Sequence, residues 1–266
     1  MSKKIGFIGC GNMGSAMVGG LIKSGFKSKE DIMISTRTQA SADKIKDEFD
    51  IKVTIDNKEV VKNSDILVFA VKPNMYKDVI EDLKEEITKD KLIITIAAGI
   101  SIDNMEEWLG DDSKIIRTMP NTPALVGEAM SAICANKNVS REELEYTMGM
   151  FSSFGECVEI AEKDFHGFIA LCGSSPAYVF MFIEAMADGA VKLGIPRAKA
   201  YKMAAQSVLG SAKMVLDTGK HPGELKDMVC SPAGTTIDAV VSLEKSGFRN
   251  STIEAIIKCA EKSKSM

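Results

Sequence analysis

The sequence predicts an α/β fold, with a doubly wound, mostly parallel sheet in the first part of the chain and an all-helical domain after it. Three observations predict it. From Lys4 to about Ile160, short Ile- and Val-rich runs alternate with longer amphipathic segments, and uninterrupted apolar strands with helical connections belong to a sheet buried on both faces. After Ile160 the strand-like runs stop and long Ala- and Met-rich segments take over. The length of 266 residues suits two domains, expected as 1–163 and 164–266.

In chain order, the runs read as strands are I-G-F-I, D-I-M-I-S, K-V-T, D-I-L-V-F-A-V, L-I-I-T-I-A, K-I-I-R-T-M, A-M-S-A-I-C-A and C-V-E-I. A helical stretch follows the first and ends near Gly25. Ser140 precedes Glu143 at the capping-box spacing, which predicts a helix continuing to Gly155 as its C-cap. In the second part, breaks are expected at Gly173, Gly194-Ile195-Pro196, Gly219 and Gly247.

The segment from Pro176 to Val191 is apolar around most of its circumference, and a surface helix of a small domain does not sustain that. About a hundred residues of helix make a thin core, so a two-fold partner is expected to complete it, with a helix enclosed in its own bundle as the alternative. Glu184 and Asp188, four apart and without lysine partners nearby, are expected to form a wet seam in that oligomer.

Composition narrows the partners. With 45% hydrophobic and 26% charged residues the chain is globular. A net charge of −4 argues against nucleic acid or an anionic membrane as a partner, so anions must be captured locally. The six cysteines include no C-x-x-C pair and are expected as reduced thiols in a cytoplasmic protein. No secretion signal is expected at the start, and no apolar run reaches the ~18 residues that span a bilayer. No His or carboxylate cluster suggests a metal site.

Gly9-Cys10-Gly11-Asn12-Met13-Gly14 is G-x-G-x-x-G directly after the first strand and before a helix, the context that identifies a Rossmann-type dinucleotide site. The first glycine makes the turn, the second admits a pyrophosphate and the third allows close helix–strand packing. Where an NAD binder usually places a carboxylate, at the end of the second strand, this chain reads Ser35-Thr36-Arg37. Hydroxyls and a cation suit a 2′-phosphate, so NADP(H) is expected there. Two more strands run into Lys72-Pro73 and Ala97-Ala98-Gly99, and ligands bind beyond such carboxyl ends.

Ser231-Pro232-Ala233-Gly234-Thr235-Thr236 reads as a loop leading into an amphipathic helix, able to receive a carboxylate on backbone N–H groups. A plain helix N-cap is the alternative reading. No Tyr-x-x-x-Lys motif is present. His166 and His221 are unpaired, and structural or solvated roles are expected for them.

These residues resemble the pyrroline-5-carboxylate reductase family over nearly the whole chain. The resemblance rests on G-F-I-G-C-G-N-M-G, A-V-K-P from Ala70 to Pro73, A-A-G from Ala97 to Gly99 and M-P-N-T-P-A from Met119 to Ala124. It continues in P-A-Y from Pro176, H-P-G-x-L-K-D from His221 and S-P-A-G-T-T from Ser231. It implies reduction of 1-pyrroline-5-carboxylate to L-proline by NADPH, with NADH possible, and a helical domain that interleaves with a second copy's.

By position, the resemblance places Asn57 near the adenosine half of the cofactor. Ala70, Val71, Lys72 and Pro73, with Ala97, Ala98 and Gly99, lie along it, and Asn121, Thr122 and Pro123 lie near the nicotinamide. Val229, Ser231, Gly234, Thr235 and Thr236 surround the substrate. With the resemblance, Thr236 is expected to hydrogen-bond the ring nitrogen while Ser231, Gly234 and Thr235 hold the carboxylate. Because the imine brings its own proton, positioning supplies most of the rate enhancement.

The chain departs from the family pattern at Cys172 and Ser175, where the family has Ser and Gly, and Ser175 loses backbone freedom if that position needs a positive φ. The alternatives are a reductase of another cyclic imine, a 3-hydroxyacid-type dehydrogenase, disfavoured because no Lys stands between Lys163 and Lys192, and a non-enzymatic NADPH-binding regulator.

Overall fold

A computed structural model describes residues 3–265, so residues 1, 2 and 266 of the two expected domains lie outside it. The expected runs all form strands: β1 (Ile5–Ile8), β2 (Ile32–Ser35), β3 (Lys52–Thr54), β4 (Ile66–Phe69), β5 (Leu92–Thr95), β6 (Lys114–Met119), β7 (Ala129–Ala135) and β8 (Gly155–Glu159). They make one sheet of order β3-β2-β1-β4-β5-β6-β7-β8, parallel throughout except where β7 runs antiparallel to β6. The chain builds outward from β1 in both directions, so the order reverses between β1 and β4, the place where such sheets open a crevice at their carboxyl ends.

Six helices cover the sheet: α1 (Asn12–Lys23), α2 (Gln39–Phe49), α3 (Asn57–Asn63), α4 (Tyr76–Leu83), α5 (Ile102–Leu109) and α6 (Arg141–Ser152). Alternation along the strands feeds two cores. Phe7, Ile34, Val68 and Ile94 pack on one face with Met17 and Leu21 of α1. Ile8, Leu67, Phe69 and Ile93 pack on the other with Ile80 and Leu83 of α4. Because both faces are covered, β1, β2, β4 and β5 are buried at every position, which is why they read as continuous apolar runs.

The capping box at Ser140 and Glu143 forms in both directions. The expected C-cap at Gly155 does not. α6 is capped by Ser153, and Gly155 instead opens β8 opposite Ala129, because the Phe154 carbonyl already accepts the Ala129 amide.

The remaining helices are α7 (Phe165–Phe168), α8 (Ser175–Lys192), α9 (Arg197–Thr218), α10 (Pro222–Val229), α11 (Thr235–Lys245) and α12 (Phe248–Lys264). Breaks fall as expected at Gly194 to Pro196, at Gly219 and at Gly247. Gly173 does not break the chain. A π-helical turn over Ile169–Gly173 joins α7 to α8, with the Ser174 amide bonded to the Ile169 carbonyl at 2.8 Å. The resulting helical stretch, Glu162–Lys192, is by length and composition alone long and apolar enough to cross a membrane, contrary to the sequence expectation, and only 17% of its most apolar window is buried. Of the two carboxylates expected in a wet seam, Asp188 pairs within the protomer with Arg197 at the start of α9.

The chain forms two compact units. One runs to Ser174 and includes the chain from Cys259 onward; the other is Ser175–Lys258. Residues 164–174 belong with the first because Phe165 and Phe168 cluster with Ala132 of β7.

Candidate active site

At the crevice between β1 and β4 the backbone is shaped for close approach. Gly9 has φ 86°, and a Cβ there would stand 2.8 Å from Val71 Cγ1, so only glycine fits. Gly11 is the N-cap of α1, with no side-chain cap and no acidic residue in the first turn. The first N–H groups of α1 are therefore left to an anion, which the helix dipole favours.

A cleft of about 410 Å³ opens here. Of the predicted residues it brings together Gly9, Gly11, Ser35, Thr36, Arg37, Asn57, Ala70, Val71 and Lys72. It also takes in Ser41, Ile55, Met75 and Val79, which the sequence reading missed. Ile55, a large apolar residue in the turn between β3 and α3, stands 59% exposed there.

The hydroxyls at the end of β2 are already engaged. Ser35 is fully buried and its Oγ donates to the Phe7 carbonyl at 3.3 Å, while Thr36 Oγ1 donates to the Thr38 carbonyl at 3.1 Å. No carboxylate stands at this strand end, and the exposed cation beside it is Arg37.

The other predicted residues do not line this cleft. Asn12, Met13 and Gly14 form the first turn of α1, with Gly14 buried, and Pro73 opens a 3-10 turn. Ala97, Ala98 and Gly99 follow β5, with Gly99 at φ 81°. Asn121 spends its amide on structure: Oδ1 accepts the Met130 amide and Nδ2 donates to the Cys172 carbonyl, each at 2.9 Å. Thr122 and Pro123 begin the 3-10 turn that follows.

In the second unit, α10 ends at Val229 and the chain turns through Ser231–Gly234, where the Gly234 amide donates to the Ser231 carbonyl at 3.1 Å. Ala233 holds φ 57°, rare for a residue with a Cβ and a conformation that clusters at binding sites. Gly234 is the N-cap of α11 and no side chain caps that helix. The Ser and Thr residues here are thus not serving as N-caps. A Cβ on Gly234 would meet Ser231 Oγ at 2.4 Å, so a larger residue there would turn that hydroxyl out of its place. Thr235 and Thr236 form the first turn of α11, beside its unclaimed N–H groups.

The histidines have structural partners: His221 caps α10 by accepting the Gly223 amide at 3.0 Å, and His166 Nδ1 lies 2.9 Å from Ser263 Oγ. All six thiols are free. Burial pushes those of Cys10, Cys134 and Cys172 up, and that of Cys157 up to about 12, so none of these four is a ready nucleophile.

Two family models match the chain: pyrroline-5-carboxylate reductase dimerisation over residues 162–266, and NADP oxidoreductase, coenzyme F420-dependent, over residues 4–99. The pyrroline-5-carboxylate reductase of Escherichia coli is 52% identical over 266 residues, covering 100% of this chain and 99% of that one. A solved structure of the Plasmodium falciparum pyrroline carboxylate reductase with NADP bound superposes with a TM-score of 0.90 at 35% identity, over 99% of this chain and 98% of the other. That of a Coxiella burnetii pyrroline-5-carboxylate reductase does so with 0.93 at 34% identity, over 100% and 98%.

Proposed function

The chain belongs to the pyrroline-5-carboxylate reductase family, and from that premise we propose how its residues divide the work of reducing 1-pyrroline-5-carboxylate to L-proline with NADPH, the final step of proline biosynthesis. Residues 1–163 bind the cofactor, and residues 164–266 bind the substrate and mediate assembly.

The first unit suits a dinucleotide: an uncapped helix N-terminus without acidic neighbours, a glycine turn that a Cβ would block, and a strand end without a carboxylate. Bound there, the cofactor supplies a hydride. Gly9 to Gly14 receive the pyrophosphate on backbone N–H groups. Arg37 takes the 2′-phosphate. Ser35 and Thr36, whose hydroxyl protons are spent on carbonyls, contribute backbone shape, while Ser41 accepts from Thr38 at 2.9 Å and keeps its own proton to donate. Asn57, Ala70 to Pro73 and Ala97 to Gly99 lie along the cofactor. Asn121 holds the Thr122–Pro123 turn in place near the nicotinamide rather than reaching the ring itself.

The observation that carries the substrate assignment is the Ser231–Gly234 turn, strained at Ala233 and closing on an uncapped helix. Ser231, Gly234 and Thr235 hold the ring carboxylate there. Thr236 hydrogen-bonds the ring nitrogen, and Val229 packs against the ring. A cyclic imine is basic enough to take a proton from water, so these residues need only hold and orient an electrophilic iminium, not supply a strong general acid.

The match over residues 162–266 makes the chain a homo-oligomer. Phe180 and Met181 of α8, 64% and 68% exposed in the protomer, supply its apolar face. This is why we assign the apolar stretch 162–192 to a subunit interface rather than a bilayer, and place the enzyme, with its free thiols and net negative charge, in the cytoplasm without nucleic-acid partners. The deciding experiment follows NADPH oxidation with 1-pyrroline-5-carboxylate beside its six-membered homologue, scored by kcat/KM. Higher turnover of the five-membered ring is expected, and turnover of neither would defeat the reading.

A further inference from the structure

Beneath the cofactor crevice lies a buried chain of hydrogen bonds that no role assigned so far uses. Tyr76, the first residue of α4, is fully buried, and its hydroxyl donates to the carbonyl of Phe69, the last residue of β4. The same oxygen accepts from Thr95 Oγ1 at 3.1 Å, and Thr95 is the last residue of β5 and the register partner of Phe69. Thr118 Oγ1, near the end of β6, donates to the Thr95 carbonyl at 2.9 Å. Thr95 and Thr118 are also fully buried. Tyr76, Thr95 and Thr118 thus lash together three adjacent strand ends.

Each of those strand ends runs straight into a segment assigned above to the cofactor: Phe69 into Ala70 to Pro73, Thr95 into Ala97 to Gly99, and Thr118 into Asn121 to Pro123. Parallel strands splay where their ladder bonds end, and a side chain bonded to two neighbouring ends fixes their separation. We propose that Tyr76 is a positioning residue for NADPH, setting through Phe69 and Thr95 the spacing of the loops on which the cofactor lies. This rests on the cofactor reading above. Burial pushes the phenol up to about 12 against the hydrogen bond from Thr95 and the Ile96 and Ala97 amides, so Tyr76 keeps its proton, and its donor role, at every working pH.

The test is steady-state kinetics on the full-length enzyme. Tyr76→Phe and Thr95→Val each raise KM for NADPH roughly three- to tenfold, the range expected when a buried partner is left unpaired. KM for 1-pyrroline-5-carboxylate stays within about twofold, Thr95→Ser restores the wild-type value, and the double variant is no worse than the worse single one, because one network is broken only once. The rise is the same at pH 6 and pH 9. An unchanged KM for NADPH in Tyr76→Phe would overturn the proposal, as would equal rises in both KM values, the mark of general loosening. If Tyr76→Phe fails to fold, Thr95→Val against Thr95→Ser decides alone. Absence of turnover in the wild type would instead count against the function itself.

Discussion

The guanidinium of Arg117, its side chain 6% exposed, meets Oε1 of Glu162 at 2.8 Å, and the same oxygen accepts the Ile102 amide at 2.8 Å. Arg117 lies on β6, 4.5 Å over the Phe165 ring. One carboxylate therefore joins the sheet, the first turn of α5 and the start of the helical stretch. Glu162→Ala strands a nearly buried cation, and the free energy of unfolding should fall by about 3 kcal/mol. Glu162→Gln, which keeps an acceptor for Ile102, should lose clearly less. Equal losses in urea titrations would show that charge pairing contributes nothing.

Thr236→Ala should lower kcat/KM for 1-pyrroline-5-carboxylate by roughly ten- to a hundredfold, the scale of one donor lost at a reacting group. NADPH affinity, read by fluorescence titration, should hold. Wild-type kinetics in this variant would refute the role of Thr236.

Arg37→Ala should raise KM for NADPH by about ten- to a hundredfold, the worth of a charge-assisted contact, while KM for NADH moves little. An equal rise for both would place Arg37 on the adenine or the pyrophosphate instead.

Glu143 reports on pH. Burial pushes its carboxyl up, but hydrogen bonds from Lys114 at 2.8 Å and from the Ser140 amide and hydroxyl outweigh that and hold it below the ordinary value. A carboxyl depressed in the folded state stabilises fully above its unfolded pKa of about 4.3, and that contribution is lost as pH falls through the lower folded value. Glu143→Gln keeps the reach back to Ser140 but loses the charge facing Lys114, so it should cost about 1 kcal/mol at pH 7, with the gap to wild type closing only below roughly pH 4. A gap unchanged at acid pH in thermal melts would contradict this.

The sheet was legible because every strand buried on both faces announces itself as an Ile- and Val-rich run, and the glycine turn because its spacing is tied to a strand before and a helix after. What escaped reading was tertiary. Gly173 looks like a break, yet a π turn absorbs it, a choice made by Phe165 and Phe168 packing on Ala132. Ser35 looks like a phosphate ligand because its residue type is right, but the sheet turns its hydroxyl onto Phe7. Tyr76 gives no local signal, since its value lies in touching strand ends that are distant in the chain.

The bare circumference of α8 makes the protein's working state a matter of mass action. A lone protomer leaves Phe180 and Met181 in water, and each such side chain, once covered, contributes about 1.5–3 kcal/mol. Association and folding are then linked equilibria, so the melting temperature rises with protein concentration and dilution alone acts as an inhibitor. Specific activity should decline once concentration drops below the dissociation constant of the assembly, with no change in any residue of the site.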